Sequence, residues 1–188
     1  MGSSAEAVGE RIGECEEVNW FRTPVAIALG SNVGDSIRFL MEAVEALGKA
    51  ITVERVSGVY KTAPMYIENQ PPFMNAALIG ATELGPRALL GTLKRIESEI
   101  GRMERNRYGP REIDLDLIGY GSLSYSFEGG EKPLTVPHPK TAERRFVLAP
   151  LSEIAPGYKL VGLGIVEELL IQTNGQAHDV ERLNNAQL

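Results

Sequence analysis

The chain has 188 residues, 43% of them hydrophobic and 23% charged, with a formal charge of −6. This is the composition of one ordinary globular domain with enough apolar residues for a proper core. The acidic balance argues against a general binder of nucleic acid or anionic membrane, since those partners need a broad basic surface. The single cysteine, Cys15, excludes an internal disulfide and a cysteine-rich zinc site. No apolar run reaches the length of a membrane span, and the N-terminus lacks the apolar core of a signal peptide, so a cytoplasmic protein is expected.

Residues 1–23 are polar and acidic and read as a leader, either disordered or one short helix carrying Val8, Ile12 and Cys15 on a face. Residues 24–175 read as a single domain and 176–188 as a polar tail. The apolar run Pro24–Leu29 predicts a strand. After it come Gly30-Ser31-Asn32-Val33-Gly34-Asp35 and the helically spaced Ile37, Leu40, Met41, Val44 and Leu47. Asp35 or Ser36 would cap this helix and Gly48 end it. The glycine loop invites comparison with a phosphate cradle at a helix N-terminus. It matches neither the Walker loop nor the dinucleotide fingerprint, and a plain strand-to-helix turn is the better reading.

A second strand is predicted over Ile51–Lys61, rich in β-branched residues, and a third over Phe73–Thr82. Between them, Thr62 to Pro72 holds three prolines and forms a stiff irregular loop, of a length more typical of functional loops than of connectors. Asn75 interrupts the third strand; it is either solvated or used to read the edge of a heterocycle. Gly85-Pro86 opens a second helix that buries Leu89, Leu90, Leu93, Ile96 and Ile100 and ends near Gly101.

Next comes the segment with the clearest chemistry, Gly101 to Leu117. Arg102, Arg105, Arg107 and Arg111 surround a Tyr108-Gly109-Pro110 turn, and a strand follows in which Asp114 and Asp116 alternate with Ile113, Leu115 and Leu117. Alternation puts the apolar residues on a core face and both carboxylates on the other, roughly 6.5 Å apart. Two carboxylates on one face suit a divalent cation, and nearby guanidiniums suit the phosphates that such a cation carries. Ser122–Glu131 reads as a hairpin and turn region. His138 lies between two prolines with Lys140, Arg144 and Arg145 near it; it is either a surface residue or a phosphate contact. Phe146 reads as a core anchor, and a short helix is expected near Val166–Gln172. The order strand, helix, strand, strand, helix, strand predicts an α+β, ferredoxin-like βαββαβ sandwich: an antiparallel sheet, two helices on one face and the other face free for ligands.

Several runs resemble one family. They are Ala28-Leu29-Gly30-Ser31-Asn32, Tyr60-Lys61-Thr62-Ala63-Pro64, Gln70-Pro71-Pro72-Phe73-Met74-Asn75-Ala76, Gly109-Pro110-Arg111-Glu112-Ile113-Asp114-Leu115-Asp116 and Val136-Pro137-His138-Pro139 with Arg144 and Phe146. In order and spacing, over about Val25 to Pro156, they are similar to 6-hydroxymethyl-7,8-dihydropterin pyrophosphokinases of folate biosynthesis. The resemblance implies an ATP-dependent enzyme that transfers a pyrophosphoryl group to the pterin hydroxymethyl and releases AMP. It implies that Asp114 and Asp116 hold two Mg²⁺ ions, and that Phe73 and Phe146 stack on the pterin. Asn75 and the backbone of Thr62, Ala63, Pro64 and Met65 would read its edge, with Asp114 near its hydroxyl. Lys94, Glu97, Arg102, Arg105, Arg107, Tyr108, Arg111, Leu117, Thr135, His138, Lys140 and Arg144 would line the ATP side, Arg102 and Arg111 with a catalytic part. The arginine segment would act as a closing lid. ATP and the pterin are then the partners, without nucleic acid or membrane, and a monomer is expected. Two other readings are a Mg-dependent nucleotidyltransferase or phosphohydrolase, which also uses Asp-x-Asp, and a ferredoxin-like RNA-binding module, which the acidic charge disfavours.

Overall fold

The computed structural model of the protein describes residues 22–64, 69–103, 109–129, 133–174, 180–184, 186 and 188. Residues 1–21 of the leader, with Cys15, lie outside these residues, as do Met65, Arg105, Arg107, Tyr108 and His178, whereas Thr23 of the expected leader already belongs to the first strand. Strand β1 (Thr23–Ser31) leads into α1 (Ser36–Gly48), whose first turn is capped by the Asp35 carboxylate accepting from the Arg38 amide at 3.2 Å. The expected second strand divides into β2 (Thr52–Val56) and β3 (Tyr60–Thr62). At the break, Ser57 takes over the pairing to the neighbouring strand: its amide donates to the Ala77 carbonyl, and its hydroxyl accepts from the Ala77 amide at 2.9 Å. The third expected strand is β4 (Phe73–Thr82), followed by α2 (Pro86–Ile100) and β5 (Asp114–Tyr120).

The sheet runs from a last strand, β10 (Val180–Arg182), through β3, β4 and β1 to β5, with β2 also on β4, and every pairing is antiparallel. Its outermost member, β10, comes from the segment expected to be only a polar tail. Alternation along the strands builds two cores. Val25, Ile27, Leu29, Ala76, Leu78, Leu115 and Leu117 face α1 and α2, where Leu40, Leu47, Leu89, Leu93 and Ile96 meet them. Fully burying a side chain of this size contributes about 1.5–3 kcal/mol, so this face fixes the register of the central strands.

The opposite face departs from the expectation that it is free. A hairpin of β6 (Tyr125–Phe127) and β7 (Leu134–Val136) leads through a 3₁₀ turn (Thr141–Glu143) into α3 (Arg145–Ile154), and α3 packs on the sheet. Val147, Leu148, Leu151 and Ile154 cover Ala26, Ala28, Ala77, Ile79 and Ile118. The short ribbon β8 (Lys159–Leu160) with β9 (Gly164–Ile165) and helix α4 (Val166–Gln172) extend this layer. The free face is therefore reduced to one end of the sheet, beyond the first turn of α3. Pro150 lies inside α3. Proline ordinarily marks a helix boundary, which is why the segment does not read as a helix in sequence. Among the described residues no helix is long and apolar enough to cross a membrane.

Candidate active site

Strand order carries the site's components to that uncovered end. Thr62 of β3 pairs with Phe73 of β4, Asn75 of β4 with Gly30 of β1, and Gly30 with Asp114 of β5. Asn75, Gly30 and Asp114 thus share one row across the sheet, an amide and a carboxylate on either side of a glycine, with the Thr62–Phe73 pair two residues along from it. Gly30 leaves room between them: a Cβ there would come to 3.1 Å from the Asn75 side-chain oxygen, a tight contact that the amide would have to yield to. Asn75 and Thr62 are buried, and the Asn75 amide donates to Thr62 Oγ1 at 2.8 Å. That bond fixes which edge the asparagine presents to the open space.

Above this row lies a cavity of about 290 Å³. Thr62, Ala63, Phe73, Asn75 and Phe146 form a largely neutral wall, and Arg111, Lys140 and Arg144, with the His138 ring among them, a cationic one, with Asp114 and Asp116 also lining the space. Phe146 stands in the first turn of α3 with Arg144 just before it, so α3 both covers the sheet and supplies groups to the cavity mouth. Gln70 and Gly109 line the cavity as well; both lie in motif runs, but no site role was attached to them.

Three further residues expected on the ATP side are placed beneath or beside this space. Helix α2 ends in a Schellman motif, with Gly101 at φ 106°, its amide on the Ser98 carbonyl and the Arg102 amide on the Glu97 carbonyl. That reversal returns Arg102 to the strand, where its guanidinium bridges Glu97 and Asp114, reaching Asp114 Oδ1 at 2.7 Å. Glu97 is buried and accepts from Lys94 Nζ at 2.6 Å and from the Leu115 amide at 2.7 Å. Lys94 also donates to the Leu115 carbonyl at 3.0 Å. Lys94, Glu97 and Arg102 thus form a charged bracket behind β5. Leu117 is buried in the core, Thr135 is exposed on β7, and Pro64 is half-buried in the proline loop.

The two aspartates differ. Burial alone pushes Asp114 up, but the charges of Arg111, Lys94 and Arg102 outweigh it and hold its carboxyl below the ordinary range. Arg111 reaches its Oδ2 at 2.7 Å. Asp116 is raised, first by burial and then by the negative charge of Asp114, and its ion pair with Arg144 is long, at 3.8 Å. Burial, aided by Arg144, lowers His138. Its Nδ1 accepts from the Lys140 amide at 3.2 Å, which leaves the proton of the neutral ring on Nε2.

Asn32 is a positioning group that the sequence-based reading left inside a plain turn. Buried, it exchanges bonds with Arg111: its amide donates to the Arg111 carbonyl at 3.0 Å, and its Oδ1 accepts from the Arg111 amide at 2.8 Å. Its Nδ2 donates to Gln70 Oε1 at 3.2 Å and to the Pro71 carbonyl at 3.1 Å. The glycine turn therefore ties the proline loop to the base of the arginine segment. No residue of that turn lines the described cavity, in keeping with a turn rather than a cradle.

A half-buried acid pair against guanidiniums, opened onto a neutral aromatic pocket, is an arrangement that can serve phosphoryl transfer beside a flat ligand. Residues 26–156 match the model of the 7,8-dihydro-6-hydroxymethylpterin-pyrophosphokinase (HPPK) family, and the chain belongs to that family. It is 47% identical over 131 residues to a mitochondrial folate synthesis bifunctional protein of Pisum sativum, a match spanning 69% of this chain and 25% of that protein. It is 42% identical over 132 residues to the 2-amino-4-hydroxy-6-hydroxymethyldihydropteridine pyrophosphokinase of Aquifex aeolicus (strain VF5), over 70% of this chain and 80% of that one. The enzyme of the same name in Bacillus subtilis (strain 168) is 45% identical over 130 residues, 68% of this chain and 75% of that one. The chain thus spans about a quarter of the bifunctional relatives' length. In fold it resembles Plasmodium falciparum HPPK-DHPS, with a TM-score of 0.67 at 14% identity, over 80% of this chain and 44% of that one.

Proposed function

We propose that the chain catalyses transfer of the pyrophosphoryl group of ATP to the hydroxymethyl of 6-hydroxymethyl-7,8-dihydropterin, releasing AMP, a step of folate biosynthesis. The observation that carries this reading is the single cavity in which a neutral aromatic wall and a cationic wall meet at Asp114 and Asp116. The heterocycle would lie between Phe73 and Phe146, its edge read by Asn75 and by the backbone from Thr62 through Pro64. ATP would place its phosphates against Arg111, His138, Lys140 and Arg144, whose forks and ring match phosphate oxygens. The hydroxymethyl oxygen attacks the β-phosphorus, the bond from that phosphorus to the bridging oxygen of AMP breaks, and the hydroxyl proton passes to the Asp116 carboxylate. Asp116 is the less tightly paired of the two, its ion pair with Arg144 being long at 3.8 Å, which leaves its oxygens open to the attacking hydroxyl.

The donor set at this point fits magnesium. Two same-face carboxylates offer hard oxygen ligands, and among the described residues no cluster of three or more ligating side chains closes a cage. Mg²⁺ commonly takes one or two carboxylates and completes its shell with substrate phosphates and water. Asp114 and Asp116 would hold two such ions, which when bound neutralise phosphate charge and acidify the attacking hydroxyl. Arg102 and Arg111 would then stabilise both Asp114 and the charge that builds on the phosphates. We place the enzyme in the cytoplasm and as a monomer, since one chain supplies both walls. The test is a product assay with ATP, Mg²⁺ and the dihydropterin alcohol. AMP appearing only with the pterin supports the reading; ADP, or pterin-independent hydrolysis, contradicts it.

A further inference from the structure

The family match ends at residue 156, yet a strand from far beyond it touches the wall of the cavity. β3 has three residues, and β10 covers its outer edge: Val180 pairs with Thr62, Glu181 with Lys61 and Arg182 with Tyr60. The Leu183 amide continues the ladder to the Val59 carbonyl at 2.8 Å. Thr62 is thus held between Phe73 of β4 and Val180 of β10, and it is the Thr62 hydroxyl that orients the Asn75 amide.

A polar clamp secures this edge. Glu153, in the last turn of α3, accepts from Arg182 Nη2 at 2.8 Å and Nε at 3.2 Å, from the Tyr60 hydroxyl at 2.9 Å and from the Gly58 amide at 3.2 Å. The guanidinium lies close to Gly58, where a Cβ would stand 2.8 Å from Nη2, so a side chain at position 58 would push the guanidinium aside. One carboxylate therefore joins α3, β3 and β10.

We propose that β10 and the Glu153–Arg182 clamp position the heterocycle-binding wall, so that affinity for the pterin is set in part by residues outside the family-matched region. The proposal rests on the reading that this wall holds the pterin. A three-residue edge strand paired on one side alone would fluctuate, and binding would have to order it at a cost in affinity. Glu153, Tyr60 and Arg182 do not line the cavity, and Arg111, His138, Lys140 and Arg144 belong to neither β3 nor β10, so ATP affinity should not follow.

Arg182→Ala removes the clamp's fork from a half-exposed site, and Leu183→Pro removes the donor to Val59. In the full-length chain, calorimetry with the dihydropterin alcohol should show about tenfold weaker binding for each variant, while KM for ATP stays within about twofold. Arg182→Lys, which keeps the charge but not the fork, should fall between wild type and Arg182→Ala. Unchanged pterin affinity in Arg182→Ala would overturn the proposal, as would equal losses for pterin and ATP, which mark general destabilisation. If Leu183→Pro fails to fold, Arg182→Ala still decides. Absence of AMP formation by the wild-type chain counts against the proposed reaction, whereas the ratio of pterin affinities between variant and wild type reads the positioning role by binding alone.

Discussion

Asp114 and Asp116 stand two residues apart on one face of β5, yet their surroundings push their protons in opposite directions. Asp114 is committed to Arg102 and Arg111, and Asp116 is left with a long pairing to Arg144. Asp116→Ala should therefore cost at least about 100-fold in turnover, while the circular dichroism spectrum and thermal midpoint stay put, because removal relieves repulsion instead of breaking a bracket. Near-normal turnover would rule out its role. Arg111→Ala should lower turnover by about 100-fold yet leave calorimetric pterin affinity close to wild type; lost pterin binding would count against placing Arg111 on phosphate. Glu97 behaves differently. Its truncation to Ala strands Lys94, Arg102 and the Leu115 amide around a buried hole, so urea unfolding should show a loss of about 3 kcal/mol. The acid pair is legible in sequence because alternation with Ile113, Leu115 and Leu117 fixes its face. The part played by Glu97 is not, because helical spacing says nothing about which strand lies behind it.

At the level of elements, β1, β4, β5, α1, α2 and α4 follow from apolar periodicity and from Gly and Pro signals, to within a residue or two at most ends. Helix α3 escapes because Pro150 breaks the pattern, and β3 is separated from β2 by Ser57 side-chain pairing, which imitates a ladder bond without a strand signal. β10 escapes because three polar-flanked residues become a strand only when an edge is offered to them. Its docking carries a pH signature. The Glu153 carboxyl is held below its ordinary range, first by the hydrogen bond from Arg182 and then by that from Tyr60, with burial opposing. A carboxyl depressed by folding lends stability above its unfolded value of about 4.3 and loses it as pH falls through the lower folded value. Hydrogen exchange at residues 180–182 should accelerate relative to the central strands as pH drops below about 4, after correction for intrinsic rates. Equal protection at pH 3 and pH 7 would show that the clamp does not hold β10.

For the whole molecule, a net charge of −6 is reconciled with the proposed phosphate-binding role by concentrating cations at one end of the sheet. The two halves of the cavity lie far apart in sequence, on Thr62–Asn75 and on Arg111–Phe146, and each half is readable from its own motifs. Their meeting follows from the strand order β3–β4–β1–β5, which local pattern alone does not contain. The same order places Gly30 between Asn75 and Asp114, and Gly30→Ala should weaken calorimetric pterin binding by crowding the amide. The most direct measurement is the nucleotide product formed from ATP in the presence of Mg²⁺ with and without the dihydropterin alcohol. Pterin-dependent AMP, in equal amount to pyrophosphorylated pterin, is the predicted result; ADP, or AMP formed without the pterin, would contradict the account.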